Sequence, residues 1–318
     1  MICFIVTSRA DVGPLFPVMS ECIERGLNVQ CLPMPSSDNP ILGYANSAFV
    51  SGVAFQQQKP QLVVILGDRY EALAAAGAAT MATIPIAHIH GGEITRGSFD
   101  DSLRDAITRM ADIHFVAAPE YGSRLMKMGE RNIHVVGAPG LDNIKFVEQR
   151  EKEKRFVVTY HPATRTQETI VPLLSALEKY PDYRIVFTGA NNDPGAPQVG
   201  QAVSEFAKYR PNVILDDEMN AVDYLSLCTA SSLVIGNSSA GLIEIPSLGI
   251  PTVDIGERQS GRLRGPSVFH AESSVESISD AIDRALKYDG PYENPHLGPG
   301  ASAKIADVLY AQFGPRVH

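Results

Sequence analysis

Val64-Ile65-Leu66-Gly67-Asp68-Arg69-Tyr70-Glu71 is the stretch on which the fold turns. With Leu62 and Val63 before it, the run is apolar without interruption, the pattern of a parallel strand buried on both faces. A glycine and two charges follow at once. The stretch leading into His88-Ile89-His90-Gly91-Gly92-Glu93 has the same form: a short apolar strand whose last residues turn into charge. Open α/β sheets bind ligands beyond the carboxyl ends of their strands. Two such ends, each carrying a carboxylate, are expected to converge on one crevice. Asp100 and Asp101 fall at the expected start of the next helix. Several acids together, with no Cys or His metal cluster, point to proton transfer rather than metal chemistry, so no metal or cofactor is expected.

Outward from this stretch the chain alternates strand and helix. Strands are expected at Ile2–Thr7, Asn28–Leu32, Leu62–Leu66, Ile84–His88, Ile113–Ala117 and His134–Val136. After the charged stretch 148–155 the alternation restarts, at Phe156–Tyr160, Arg184–Phe187, Val213–Leu215, Leu233–Ile235 and Thr252–Ile255. Helical periodicity lies between, at Leu15–Glu24, Pro172–Tyr180, Val199–Tyr209 and Ala221–Cys228. Ala72 to Ala87, rich in Ala and Gly, reads as a tightly packed helix followed by a strand. The alternation predicts doubly wound parallel sheets covered on both faces. The charged stretch reads as a linker, which puts a first domain at 1–152 and a second at 153–302, facing each other across a cleft. Residues 288–301, rich in Pro and Gly, read as a loop before a last helix within 303–318.

Composition narrows the function. The net charge of −9 argues against a nucleic-acid or anionic-membrane surface. The apolar start, Met1 to Thr7, is too short for a secretory signal and meets Arg9 and Asp11 at once. Cys3, Cys22, Cys31 and Cys228 form no C-x-x-C pair and read as buried free thiols of a cytoplasmic protein.

Gly236-Asn237-Ser238-Ser239-Ala240-Gly241-Leu242-Ile243-Glu244 follows a strand. Small residues at a strand-to-helix turn let backbone N–H groups approach an anion, and the helix end favours phosphate. Glu244, one turn in, suits sugar hydroxyls. The plain alternative is helix capping. His161 and Arg9 end strands of the second and first halves. A lone His is usually structural, but the end of a strand favours function, and an Arg there suits a diphosphate. Arg258, Arg262 and Arg264 read equally as solvated loop residues. Asp68-Arg69 reads alone as an ion pair, Asp100 and Asp101 as helix-start acids, and Glu93 as a turn residue. Their recurrence at successive strand ends favours a site. There is no G-x-G-x-x-G after a first strand and no P-loop, which leaves a dinucleotide site unsupported.

Taken together, Gly-Asp-Arg-Tyr-Glu at 67–71, His-Ile-His-Gly-Gly-Glu at 88–93, and Asp-Asp-Ser-Leu-Arg-Asp-Ala-Ile-Thr-Arg-Met at 100–110 resemble the hydrolysing UDP-N-acetylglucosamine 2-epimerases. So do 236–244 and Gly-Glu-Arg-Gln-Ser-Gly-Arg at 256–262. The resemblance implies a GT-B-like α/β architecture of two Rossmann-like domains, with the nucleotide held mainly by the second and the last helix returning to the first. It implies conversion of UDP-GlcNAc to N-acetylmannosamine and UDP without a metal. By motif, Asp68, the acid at the 88–93 turn and Asp100, with Asp101 beside it, are the implied catalytic acids. Some members carry Glu where this chain has His90, which leaves the second acid role to His90 or Glu93. Arg9, Arg69, His161, Asn191, Ser238, Ser239, Glu244 and Arg258 are implied to hold the diphosphate and ribose. The expected partners are a UDP-sugar and further copies of the chain, as a dimer or tetramer, with neither nucleic acid nor membrane. The non-hydrolysing relatives resemble a Gly-Asp-Thr, His-Val-Glu-Ala-Gly-Leu-Arg pattern that is missing here. The segment between 28 and 67 is short for the family, which leaves a 4-amino or 4-acetamido nucleotide sugar open as substrate. A GT-B glycosyltransferase would share the nucleotide cradle but need an acceptor site, and a nucleotide-sugar-binding scaffold would not need the acids.

Overall fold

The computed structural model describes residues 1–35, 37, 39–163, 165–189 and 195–315. It divides into two compact units, one of residues 1–93, 100–143 and 296–318, the other of 94–99 and 144–295.

The first unit carries a six-stranded parallel sheet of β1 (Ile2–Val6), β2 (Val29–Pro33), β3 (Leu62–Leu66), β4 (Ile86–Ile89), β5 (Ile113–Val116) and β6 (Ile133–Val135). The order is β2-β1-β3-β4-β5-β6. Successive strand residues point to opposite faces, so each central strand supplies two cores. Phe4, Leu62 and Val64 join one, and Ile5, Val63 and Ile65 join the other. Between the strands lie α1 (Arg9–Glu24), α2 (Pro40–Gln58), α3 (Tyr70–Met81), α4 (Asp100–Met110) and α5 (Pro119–Lys127). Five alanines of α3 are fully buried or nearly so, which lets the helix lie close on the sheet.

The second unit repeats the plan with β7 (Arg155–Thr159), β8 (Arg184–Thr188), β9 (Val213–Asp216), β10 (Leu233–Gly236), β11 (Thr252–Ile255) and β12 (Val268–Ala271). Its order is β12-β11-β10-β7-β8-β9, again parallel throughout. Its helices are α6 (Val171–Leu177), α7 (Ala196–Ala207), α8 (Ala221–Thr229), α9 (Ala240–Ile243) and α10 (Val275–Ala285). The charged stretch is fastened to α8 of this unit. Ser226 Oγ accepts from the Glu148 N–H at 3.0 Å, and Thr229 Oγ1 from the Arg150 N–H at 3.2 Å. The last helix, α11 (Ala301–Phe313), belongs to the first unit, where Ile305, Ala306 and Leu309 enter the core with Leu15 and Val18 of α1. Among the described residues no helix is long and apolar enough to cross a membrane.

Two elements go beyond the sequence reading, and two sequence expectations are corrected. A helix, α2, occupies Pro40–Gln58, with Asn39 Oδ1 capping the N–H groups of Ile41 at 2.9 Å and Leu42 at 3.2 Å. Strand β4 begins at Ile86 rather than Ile84, because the chain is still closing α3 there: Thr83 is left-handed and Ile84 N–H bonds back to Ala79. A further edge strand, β12, follows β11. Finally, Cys31 is exposed, unlike the other three thiols, because β2 is an edge strand with its residues half open.

Candidate active site

Two clusters stand at the carboxyl ends of strands, one in each unit. In the first unit the organiser is Arg104, a fully buried side chain on α4. A buried guanidinium needs anionic or carbonyl partners for its fixed fork of donors. Its Nη2 donates to Asp68 Oδ2, and its Nη1 to Asp101 Oδ1 at 3.2 Å and to the carbonyl of Glu93 at 2.9 Å. One side chain therefore ties the end of β3, the turn after β4 and the first turn of α4. Arg69 donates to the buried Glu71 at 3.1 and 3.2 Å, while Asp68 faces Arg104.

The carbonyl of Gly67, the residue before Asp68, is held by His88. This ring is completely buried on β4, and burial pushes its pKa down to about 4. It is neutral, with Nε2 2.7 Å from the Gly67 carbonyl and Nδ1 3.1 Å from Thr108 Oγ1. A carbonyl only accepts, so Nε2 carries the proton and Nδ1 receives the threonine hydroxyl.

The turn after β4 is tight. His90 has φ +66° and Gly92 φ +81°. A Cβ at Gly92 would lie 2.8 Å from the Tyr121 carbonyl oxygen, so glycine is required there. The turn brings Glu93 back beneath His90, with Oε1 2.5 Å from Nδ1. The Glu93 side chain is buried, whereas that of His90 keeps 13% of its surface exposed. Asp100 opens α4, and Arg9 lies exposed at the first turn of α1, after β1. That turn is pinned by Asp11, whose carboxylate accepts from Thr7 N–H at 2.7 Å and Ser8 N–H at 3.0 Å.

In the second unit the organiser is Asn237, after β10. Its amide brackets the backbone of His161, accepting from the N–H at 2.7 Å and donating to the carbonyl at 2.8 Å. Its own carbonyl accepts from Arg258 Nη1 at 3.1 Å and Gln259 Nε2 at 2.9 Å. Gly236 has φ +144°, and a Cβ there would overlap the Thr159 carbonyl. The ends of β7 and β10 and the loop from 256 are thus one bonded unit, with Ser238 and Ser239 next in the chain. Arg264 is not a solvated loop residue: its Nη2 donates at 2.6 Å to Asp254, which is fully buried.

The helix after Ser239 is much shorter than its sequence promised. α9 has one turn, and Glu244 stands at its end rather than within it. Pro246 cannot extend an α-helix, and the chain passes into a 3-10 turn at Ile245–Leu248. A helix this short supplies little dipole. Asn191 lies outside the described residues.

The sequence of the UDP-N-acetylglucosamine 2-epimerase family matches residues 42–310. The chain belongs to this family. Its relatives include the GDP/UDP-N,N'-diacetylbacillosamine 2-epimerase (hydrolyzing) of Campylobacter jejuni, 32% identical over 88% of this chain and 79% of that protein. The polysialic acid biosynthesis protein P7 of Escherichia coli is 36% identical over 73% of this chain and 64% of its own length. The UDP-N-acetylglucosamine 2-epimerase of Neisseria meningitidis is 32% identical over 80% of this chain and 71% of its own. Among solved structures, a Neisseria meningitidis UDP-GlcNAc 2-epimerase bound to UDP-GlcNAc has a TM-score of 0.83 at 16% identity, covering 98% of this chain and 100% of that one. This likeness assigns the fold, which is α/β and GT-B-like with two Rossmann-like parallel sheets.

Sequence reasoning passed over three residues of this epimerase that organise the clusters: His88, Arg104 and Asn237. Arg104 carried a signal, since it lies three positions after Asp101 and therefore on the same helix face. Asn237 sat inside a quoted motif as a capping residue. His88 had no local signal, because its partners come from β3 and α4.

Proposed function

We propose that this protein is a hydrolysing UDP-N-acetylglucosamine 2-epimerase, converting UDP-GlcNAc and water to N-acetylmannosamine and UDP. The observation that carries the reading is the first-unit cluster, in which Asp68, the His90–Glu93 pair, Asp100 and Asp101 are gathered by Arg104 or lie beside it in the chain. Epimerisation needs proton transfer on two faces of C2, and such a cluster offers more than one group for it. The C2 proton is not acidic while C1 keeps its substituent. Breaking the C1–O bond builds positive charge on the ring and acidifies C2–H. Elimination of UDP gives a glycal, and water adding at C1 with a proton at the opposite face of C2 gives the epimer.

In the second unit, His161, Ser238, Ser239, Glu244 and Arg258 bind diphosphate and ribose, and Asn237 holds their loops in register. Arg9 and Arg69 in the first unit add positive charge for the departing diphosphate, so turnover needs no divalent ion and persists in EDTA. The hydrolytic outcome is supported by the relatives named as hydrolysing, at 32% identity for the Campylobacter jejuni enzyme and 30% for the Legionella pneumophila UDP-N,N'-diacetylbacillosamine 2-epimerase. Those two names favour a second reading of the substrate, UDP-N,N'-diacetylbacillosamine, on the same chemistry.

The test is incubation with each nucleotide sugar, following UDP by phosphorus NMR. The reading expects UDP and free 2-epimeric sugar in equal amounts. A product still joined to UDP would make the enzyme non-hydrolysing.

A further inference from the structure

We propose that His90, through Nε2, is the base that takes the C2 proton, and that Glu93 is its positioning residue. The assignment rests on the epimerase reading above and deepens it.

Three observations bear on His90, the first of which separates it from Asp68 and Asp101. The first concerns competition for charge. Asp68 and Asp101 both receive the Arg104 guanidinium. Each of these carboxylates has an oxygen already committed to a donor of that guanidinium. His90 is held differently: its Nδ1 lies 2.5 Å from the buried carboxylate of Glu93, which fixes the orientation of the ring.

The second is the tautomer. An ionised carboxylate only accepts, so the contact puts the ring proton on Nδ1 and leaves the lone pair on Nε2. Among the described residues, Nε2 has no hydrogen-bond partner, and the side chain keeps part of its surface open. The third is the backbone. His90 is held at φ +66°, outside the ordinary range for a residue with a side chain. Two glycines follow, and the second packs so closely on the Tyr121 carbonyl that a Cβ there would clash. Strain of this kind gathers where a side chain must be aimed.

The step balances as follows. The C2–H bond breaks and its proton passes to Nε2. The electron pair of that bond becomes the second bond between C1 and C2. The C1–O bond breaks and its pair leaves with UDP. The imidazolium then returns its proton to solvent. A carboxyl group of the cluster protonates the other face of C2, water adds its oxygen to C1, and the proton that this water loses returns to the carboxylate.

The test uses the full chain with UDP-GlcNAc and UDP-N,N'-diacetylbacillosamine. His90→Asn and His90→Gly tolerate the left-handed backbone and remain folded by circular dichroism. We expect His90→Asn to lose at least about two orders of magnitude in kcat, the usual worth of a general base, with UDP affinity by calorimetry unchanged. Added imidazole restores turnover to His90→Gly but not to Asp100→Asn. Glu93→Gln lowers kcat with little change in KM, and Glu93→Asp recovers part of the loss. Wild-type turnover together with an active His90→Asn overturns this assignment alone. A wild-type enzyme that releases no UDP from either sugar overturns the functional reading and the assignment with it.

Discussion

Arg104 reaches from α4 to Asp68 at the end of β3, and this pair joins two segments 36 positions apart. The guanidinium is almost wholly buried, whereas Asp68 keeps about a quarter of its side chain open, 23%. The buried partner is therefore the support, and in the proposed reading the open one is the working group. Because the same guanidinium holds Asp101 and the Glu93 carbonyl, it also sets where the His90 turn lies relative to Asp68.

Replacing Arg104 removes this support. Arg104→Met leaves Asp68 and Asp101 without their shared cation. The expected loss is about 2–3 kcal/mol in urea denaturation, at the low end for broken buried pairs because both carboxylates are partly open. Arg104→Lys keeps the charge but not the fork, and is expected to recover stability more than turnover. Equal recovery of both would contradict the positioning role.

The acids themselves should act on rate. Asp68→Asn and Asp100→Asn preserve shape and remove a titrating oxygen. Each is expected to lower kcat by at least about two orders of magnitude with KM much less changed. Steady-state kinetics on the substrate that the wild type turns over provides the check. A rise in KM with kcat intact would reassign the residue to binding.

His88 gives folding a pH dependence of definite sign. Its folded pKa is depressed to about 4 from 6.5. Above pH 6.5 the ring is neutral in both states, and its contribution to stability is complete. As pH falls from 6.5 to about 4, the unfolded chain takes up a proton that the folded one refuses, and stability declines. The decline has a limiting slope of about 1.4 kcal/mol per pH unit and sums to the order of 3 kcal/mol. His88→Gln keeps a donor and an acceptor without the titration. Its stability curve over that interval should be flatter than the wild-type curve, and an identical slope would rule out His88 as the source.

In the second unit, Asn237→Ala deletes both hydrogen bonds to the His161 backbone. These are buried groups, so the expected cost is about 2–4 kcal/mol, two unsatisfied partners at the usual penalty. UDP affinity should fall with it, since the two deleted bonds hold the His161 backbone next to the turn that carries Ser238 and Ser239. Calorimetry with UDP reads the effect. Unchanged affinity in a folded Asn237→Ala would separate this hub from nucleotide binding.

Much of the fold was legible because parallel strands buried on both faces write themselves as plain apolar runs. Leu62–Leu66 and Thr252–Ile255 were located to the residue. Helix α2 was not, because its pattern is weak: it has no charged residue, and Ile41 and Phe49 are largely exposed while Ser47 and Ser51 are buried. Edge strand β12 is short and half open, so it too lacked contrast. The strand-end acids could be read from sheet polarity alone. Arg104 could not be read as their organiser, because burial of a charge depends on partners that only the tertiary fold supplies. The helix after Ser239 was overestimated for a local reason that was in view, the proline at 246.

The most direct test of the central claim is the fate of hydrogen at C2. The enzyme is incubated with UDP-GlcNAc in D2O and the sugar product is followed by proton NMR. Removal and return of the C2 proton predicts N-acetylmannosamine fully deuterated at C2, released together with an equal amount of UDP. N-acetylmannosamine that retains protium at C2 would contradict the account.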